Sequence, residues 1–514
     1  MKVRVVVAAL LVLVLVAAAA GLVAAQVLGS NGDDGSAREQ PRPEPSGLPA
    51  APTGLDRFYE QQPEWSGCKA GFECADVEVP LDYADPAGET LQIKVNRRAA
   101  NEMDSWQGAL LVNPGGPGAS GKDYARSVDN QLGSILDSYD LVGFDPRGAG
   151  QSAPVDCLSD AELDTFVGSE QTPDDAAERK EYADAIAAVG AGCVEKSGDL
   201  AGHISTVEAA RDMDIIRQVV GDKVMHYFGS SYGTKLGATY AELFPERVGR
   251  MVLDGAVDPT LDSVESGYGQ LGGFETALQS YLAYCVDEGD CPLGDSTKEA
   301  SGALADLMNG LDDDPLGGGS DRAVAGGWAF YGLALPLYAE EIWPVLTQAL
   351  QAAVDGDGSG LLQLADLYTS RGKDGYDNNM MEALLAINCG DDPADRSMAE
   401  VQQDLPRFEQ RSAVFGAVFG WSTVGCVDWP VQPSEPAPKI DAAGADPILV
   451  VGTTRDPATP YEWAEALASQ LESGVLLTRD GDGHGAFAHG NECIDDTITS
   501  YLVDGTVPKA GKRC

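Results

Sequence analysis

The sequence predicts an α/β fold: a mostly parallel central sheet flanked by helices, with a large helical lid insertion. Three observations carry that prediction. Short apolar runs alternate with helical patterns from about Leu55 onward, as expected when helices cover both faces of a parallel sheet. A strand-like run, "KVMHYFG", passes through "SSYG" directly into the helical "TKLGATYAELF". The rhythm then breaks once, between Gly255 and Pro447, where helical patterns displace strands.

Taken in order, the chain opens with Lys2 and Arg4 ahead of an unbroken apolar run over residues 5–25. This reads as an export signal. Small residues at Ala24 and Ala25 offer a cleavage point, although a run of this length also suffices as a bilayer anchor, which takes about 20 apolar residues. Residues 1–28 are therefore assigned to a signal peptide or N-terminal anchor. No cysteine precedes Cys68, which excludes lipid attachment at an N-terminal cysteine. Residues 29–54, rich in Gly, Pro, Ser and charge, form a flexible linker, because such a composition buries too little apolar surface to order itself.

The catalytic core is expected in two parts, 55–255 and 447–514, separated by the lid at 256–446. Strands are expected at "LQIKVNRR", "GALLVNPG", "YDLVGFDP", "KVMHYFG", "RMVLDG", "PILVVGT" and "GVLLTRD". Helices such as "TVEAARDMDIIRQVVG" and "PYEWAEALASQLES" lie between them. In the second, Thr459 is expected to cap the helix, with Pro460 in its first turn. Within the lid, "FETALQSYLAYC", "YAEEIWPVLTQALQAAV" and "MEALLAINC" carry helical patterns, broken by "PLGGGSDRAVAGG".

Composition is that of a globular chain, with 44% hydrophobic and 22% charged residues in 514. The 34 basic and 81 acidic residues leave a net charge of -47. Such a surface repels nucleic acid and anionic membranes, so no nucleic-acid partner is expected, and membrane association is confined to the N-terminal segment. Ten cysteines in an exported chain imply disulfides, with sequential neighbours the simplest pairing. A zinc site is disfavoured by the lack of CxxC and by only four histidines.

The chemistry centres on "GSSYG", in which Gly229, Ser231 and Gly233 occupy the fixed positions of GxSxG. At a strand-to-helix turn, that frame places a serine hydroxyl at a helix N-terminus, poised as a nucleophile. The frame selects Ser231 rather than Ser230. A serine needs a base and an orienting acid, ordered Ser, acid, His in this kind of fold. His484, in the glycine-bracketed "GDGHGAF" after the last expected strand, is the candidate base, with His489 its competitor. His203 and His226 precede the serine and read as structural.

Asp456 in "VVGTTRDPATP", just beyond a strand, is the candidate acid. Asp258 after the preceding strand is the rival, and Asp482 reads as a loop residue. The oxyanion hole needs two backbone N–H groups. Tyr232, after the nucleophile, supplies one, and Gly116 in "LLVNPGGPG" the other, since Pro117 has no N–H and Gly115 lies deeper in the turn. "FDPRGAGQS" is assigned to structure, through a buried Asp/Arg contact involving Asp145 and Arg147.

With the elbow, "NPGGPG", "FDPRGAGQS", "TTRDPATP" and "GDGHG" in hand, the chain resembles the α/β-hydrolase family of secreted actinobacterial tripeptidyl aminopeptidases, related to proline iminopeptidases. The resemblance extends over most of the chain after residue 55, and includes "WSGCKAGFECADVEVPLDYADP", "INCGDD" and "CVDWP". It implies a serine exopeptidase acting on peptides with a free N-terminus, with Ser231 as nucleophile, Asp456 as acid and His484 as base. Related iminopeptidases begin the oxyanion loop with His, where this chain has Asn113 and Pro114, a departure that bears on proline specificity.

An aminopeptidase must hold a protonated amine, and a lid carboxylate would do so. Glu265, Glu275, Glu340 and Glu341 lie in or near lid segments, and none is singled out. An esterase on the same triad is the alternative, since fold does not determine substrate. A non-catalytic binding protein is a third class, against which the complete set of site residues argues. Dehalogenase and epoxide hydrolase chemistry would place an acid at position 231. No organic cofactor or metal is implied.

Overall fold

The computed structural model describes residues 47–514, apart from 290, 320–321, 393–395 and 427–428. The N-terminal apolar segment and most of the linker lie outside the described residues. Ten strands form one sheet in the order β1-β2-β3-β5-β4-β6-β7-β10-β11-β12. These are β1 (Ser66–Gly67), β2 (Glu73–Pro80), β3 (Thr90–Arg98), β4 (Gly108–Asn113), β5 (Tyr139–Phe144), β6 (Met225–Ser230), β7 (Val248–Asp254), β10 (Ile448–Arg455), β11 (Gly474–Asp482) and β12 (Lys512–Arg513). A two-stranded ribbon, β8 (Leu316–Gly317) with β9 (Ala323–Val324), sits in the insertion. β1, β2, β3 and β5 pair antiparallel, and every pairing from β5 to β12 is parallel. This mostly parallel, helix-flanked sheet is an α/β-hydrolase fold.

The parallel centre explains why those strands read so plainly in the sequence. Every residue of β4 and β5 is buried, because helices cover both faces. On one face, Met213 and Ile216 of the helix Thr206–Val220 pack with Leu236 and Ala238 of the helix Tyr232–Leu243. On the other, Ala125 of Gly121–Val128 and Ile494 and Ile498 of Glu492–Asp504 close a second core.

The insertion has its own core, built on Leu278, Leu304, Leu333, Leu346 and Leu361 from successive helices. Leu163 and Val167, from the helix Asp160–Gly168 that follows β5, join it. The helical layer therefore draws on two stretches of chain. Conversely Ile440, Ala442 and Ala445 pack with the sheet core, where Glu242 accepts from the N–H groups of Asp441 and Ala442, both at 2.7 Å.

All ten cysteines pair as sequential neighbours: 68–74, 157–193, 285–291, 389–426 and 493–514. Two local expectations are corrected. Thr459 does not cap the helix Tyr461–Gln470, whose N-cap is Pro460; its hydroxyl instead donates to Asp456, 3.1 Å away. In "FDPRGAGQS" the two charged residues do not pair with each other. Asp145 accepts from Ser120 Oγ (2.6 Å) and from the N–H groups of Lys122 (3.2 Å) and Gln151 (2.9 Å).

Arg147 pairs with Asp212 (2.6 and 2.7 Å) and donates to the carbonyls of Pro80, Leu81 and His203. Its side chain is 0% exposed. Removing it strands the Asp212 carboxylate in the interior, so Arg147→Met is expected to cost about 3–5 kcal/mol of stability. Denaturant unfolding monitored by tryptophan fluorescence checks this, and a loss below about 1 kcal/mol would refute it.

Candidate active site

β6 runs into Ser231, which opens the helix Tyr232–Leu243 with φ 56° and ψ -128°. A side chain other than glycine is strained there, at a cost of about 1–3 kcal/mol. The surrounding bonds hold it in place. Ser231 N–H donates to the Asp254 carbonyl at 2.9 Å, and the Ser231 carbonyl accepts from Thr234 Oγ1 (2.6 Å) and N–H (2.8 Å). Gly229 allows strand and helix to meet this closely, since a Cβ there would lie 2.5 Å from the Gly233 carbonyl oxygen. The neighbouring Ser230 turns its hydroxyl to Tyr124, 3.1 Å away.

The loop after β4 lies against this turn. Its Gly115 N–H is engaged by Asn113 Oδ1 at 2.9 Å. The N–H groups of Gly116 and Tyr232 have no partner among the described residues. A Cβ on Gly115 would lie 2.8 Å from Tyr232 N and 2.9 Å from Ser231 Cβ, so the loop and the elbow are in direct contact.

Asp456 follows β10 and His484 follows β11, and the parallel pairing of these strands brings the two together. His484 Nδ1 lies 2.8 Å from Asp456 Oδ1 and 3.0 Å from Oδ2. With a carboxylate on Nδ1, that nitrogen carries the proton and Nε2 is left as the acceptor. Asp456 is itself held by the N–H groups of Ala458 (2.9 Å), Thr459 (2.8 Å) and Gly485 (3.0 Å). Burial pushes the imidazole pKa down, but the charge and hydrogen bond of Asp456, with the charge of Asp254, outweigh it and leave His484 above its ordinary value.

Of the other sequence candidates, His489 lines a cavity with His484, and the rest lie elsewhere. Asp258 binds Thr260 and Gln470 rather than a histidine. Asp482 pairs with Arg455 at 2.8 Å. His203 Nδ1 meets Glu208 at 2.8 Å. His226 accepts from Arg250 N–H, and burial, reinforced by the Arg250 charge, pushes its pKa down to about 4. Of the lid glutamates, Glu265 pairs with Arg407, Glu275 holds Gln279, and Glu340 and Glu341 are exposed.

Three contacts to the site went unread in the sequence. Thr459 Oγ1 sits between Asp456 and His484, 3.4 Å from Nδ1; its spacing three residues after Asp456 was the signal for a turn closed on that carboxylate. Tyr338, from the insertion, accepts the His484 N–H at 2.9 Å and sets its ring edge-on to the imidazole, 5.2 Å between centroids. Further aromatic rings continue from it, through Tyr368 to Tyr331 and through Phe274 to Phe415 and Phe419. Asp254 is the third. Its carbonyl holds Ser231, and its carboxylate accepts from Ala486 (3.1 Å) and Phe487 (3.0 Å) beside the histidine.

A family model described as "TAP-like protein" matches residues 412–514. Serine protease Hip1 of Mycobacterium tuberculosis is 37% identical over 477 residues, covering 88% of this chain and 91% of its own. Carboxylesterase B of the same organism is 34% identical over 470 residues (88% and 90%). Tripeptidyl aminopeptidase of Streptomyces lividans is 31% identical over 469 residues (88% and 86%).

Proposed function

The chain belongs to the TAP-like family of actinobacterial α/β-hydrolases and is a serine hydrolase, and from that premise we propose that it is an exported aminopeptidase removing short peptides from free N-termini. The observation that carries the reading is the carboxylate–imidazole pair on a shared strand edge with a strained serine: Asp456 and His484 at 2.8 Å, and Ser231 at φ 56°. Ser231 Oγ attacks the carbonyl carbon of the substrate while His484 Nε2 takes its proton. The tetrahedral oxyanion accepts from Tyr232 and Gly116, whose N–H groups have no other partner among the described residues. His484 then protonates the leaving amine, and water, activated by the same imidazole, releases the peptide from the acyl-serine. Five disulfides and the relatives named protease and aminopeptidase support export and a peptide substrate.

A second reading, a secreted esterase on the same triad, is favoured by the aromatic rings that continue from Tyr338 over His484. Chromogenic substrates separate the two: free-amine mono-, di- and tripeptides, their N-blocked forms, and short-chain esters. Release from free-amine tripeptides with little from blocked ones supports the aminopeptidase. Equal turnover of blocked peptides and esters overturns it.

The raised pKa of His484 sets the pH dependence. The base works only when neutral, so kcat/KM is expected to climb with pH along a limb whose midpoint lies above about 6.5. A midpoint below 6, from initial rates at low substrate, would contradict the arrangement.

A further inference from the structure

Asp254, at the end of β7, is the one residue among those described that is bonded both to Ser231 and to the histidine loop. Its carbonyl accepts from Ser231, and its Oδ2 accepts from Ala486 and Phe487. It is 3% exposed, and its Oδ1 is buried without a hydrogen-bond partner among the described residues. A buried carboxylate oxygen left so is costly, and burial pushes the Asp254 carboxyl above its ordinary value against the N–H groups of Phe487 and Ala486 and the charges of His489 and His484, which favour its ionised form. The residue also lines a cavity of about 250 Å³ together with Tyr124, Ser230, His484, Phe487 and His489. Such a volume admits several waters, each occupying about 30 Å³ in the liquid.

We propose that Asp254 is a positioning residue with two duties: it clamps the 484–487 loop through Oδ2, and it sets a second carboxylate in the cavity that His484 lines. The groups around His484 leave room for such a charge to be felt. Asp456 faces Nδ1, Tyr338 offers a ring edge and a carbonyl from the insertion, and Thr459 offers a hydroxyl. His489 and Tyr124 are the further titratable side chains lining the cavity beside Asp254. Among these, Asp456 and Asp254 are the two carboxylates, and they approach from the ends of adjacent strands, β10 and β7. When Ser231 gives up its proton, the imidazolium is therefore stabilised by Asp456 at Nδ1 and by the Asp254 carboxylate across the shared cavity. The inference rests on the proposed roles of Ser231 and His484.

Two variants of the full chain test it. Asp254→Asn keeps the volume and both accepted bonds but removes the charge. It is expected to lower kcat/KM about tenfold and move the acid limb about one pH unit lower. Asp254→Ala also releases the loop and is expected to lose about a hundredfold, with partial rescue by added formate, which the cavity is large enough to admit. Asp254→Asn with an unmoved limb, whether or not its rate falls, overturns the charge role. Asp254→Ala at the unaltered rate overturns the clamp. Should the alanine variant not fold, the isosteric asparagine variant decides the charge role alone. Failure of the underlying reading is distinguishable, because Ser231→Ala would then stay active, whereas failure of this inference leaves that variant dead while the acid limb of Asp254→Asn stays unmoved or Asp254→Ala keeps the unaltered rate.

Discussion

Ser231→Ala is expected to lower kcat by about a millionfold on the best chromogenic substrate while leaving the fold intact. On the proposed mechanism the loss is this large because serine and histidine act as a unit: without the hydroxyl there would be no acyl-enzyme, and the imidazole would have no proton to move. Stability offers an independent check on the same position. Ser231 holds φ 56° and ψ -128°, and alanine is strained there as serine is. Ser231→Gly, equally inert, sheds that strain but adds freedom to the unfolded chain, for a net gain of about 1 kcal/mol. Single-turnover kinetics and paired thermal melts read both effects. Residual turnover within tenfold of the unaltered enzyme, or a glycine variant less stable than the alanine one, would contradict the placement of the nucleophile.

Gly115→Ala is expected to cost about 10²–10³ in kcat, the scale of losing one oxyanion donor. A Cβ there would lie 2.6 Å from the Ser230 carbonyl oxygen, 2.8 Å from Tyr232 N and 2.9 Å from Ser231 Cβ. Backbone atoms cannot rotate aside, and φ 92° already excludes most side chains at this position. The loop that carries Gly116 must therefore retreat from the elbow, separating the two N–H groups meant for one oxygen. The ground-state carbonyl of the substrate carries no charge to be held by that pair, so KM is expected to change far less than kcat. Gly302→Ala, on a helix with nothing within 4 Å of the added carbon, serves as the control. A Gly115→Ala enzyme with unaltered kcat would mean that the loop after β4 does not face the reacting carbonyl.

Legibility tracked burial and distance along the chain. The parallel strands read as near-continuous apolar runs because both of their faces are covered, whereas β2, "ECADVEVP", interleaves charge with apolar residues near the sheet edge and escaped notice. The elbow read clearly because its demands are local: glycine on either side of a strained residue between strand and helix. Asp456 and His484 were also legible, since each closes a strand in a recognisable turn. Thr459 was misread for the opposite reason. A threonine before a proline and a helix satisfies the pattern of a cap, and only the nearby carboxylate of Asp456 competes for its hydroxyl.

The sequence by itself therefore determined what local patterns encode: the α/β alternation, the elbow at Ser231, and the strand-end acid and histidine. Tertiary structure alone decided which distant groups meet them. Arg147 chose Asp212 over its near neighbour Asp145, Tyr338 reached His484 from the insertion, and Asp254 joined the serine to the histidine loop. The physical reason is that a hydrogen bond between elements carries no periodicity and no spacing. It appears only once packing of the sheet and the helical insertion has brought strand ends and loops to one edge, where buried polar groups must find partners.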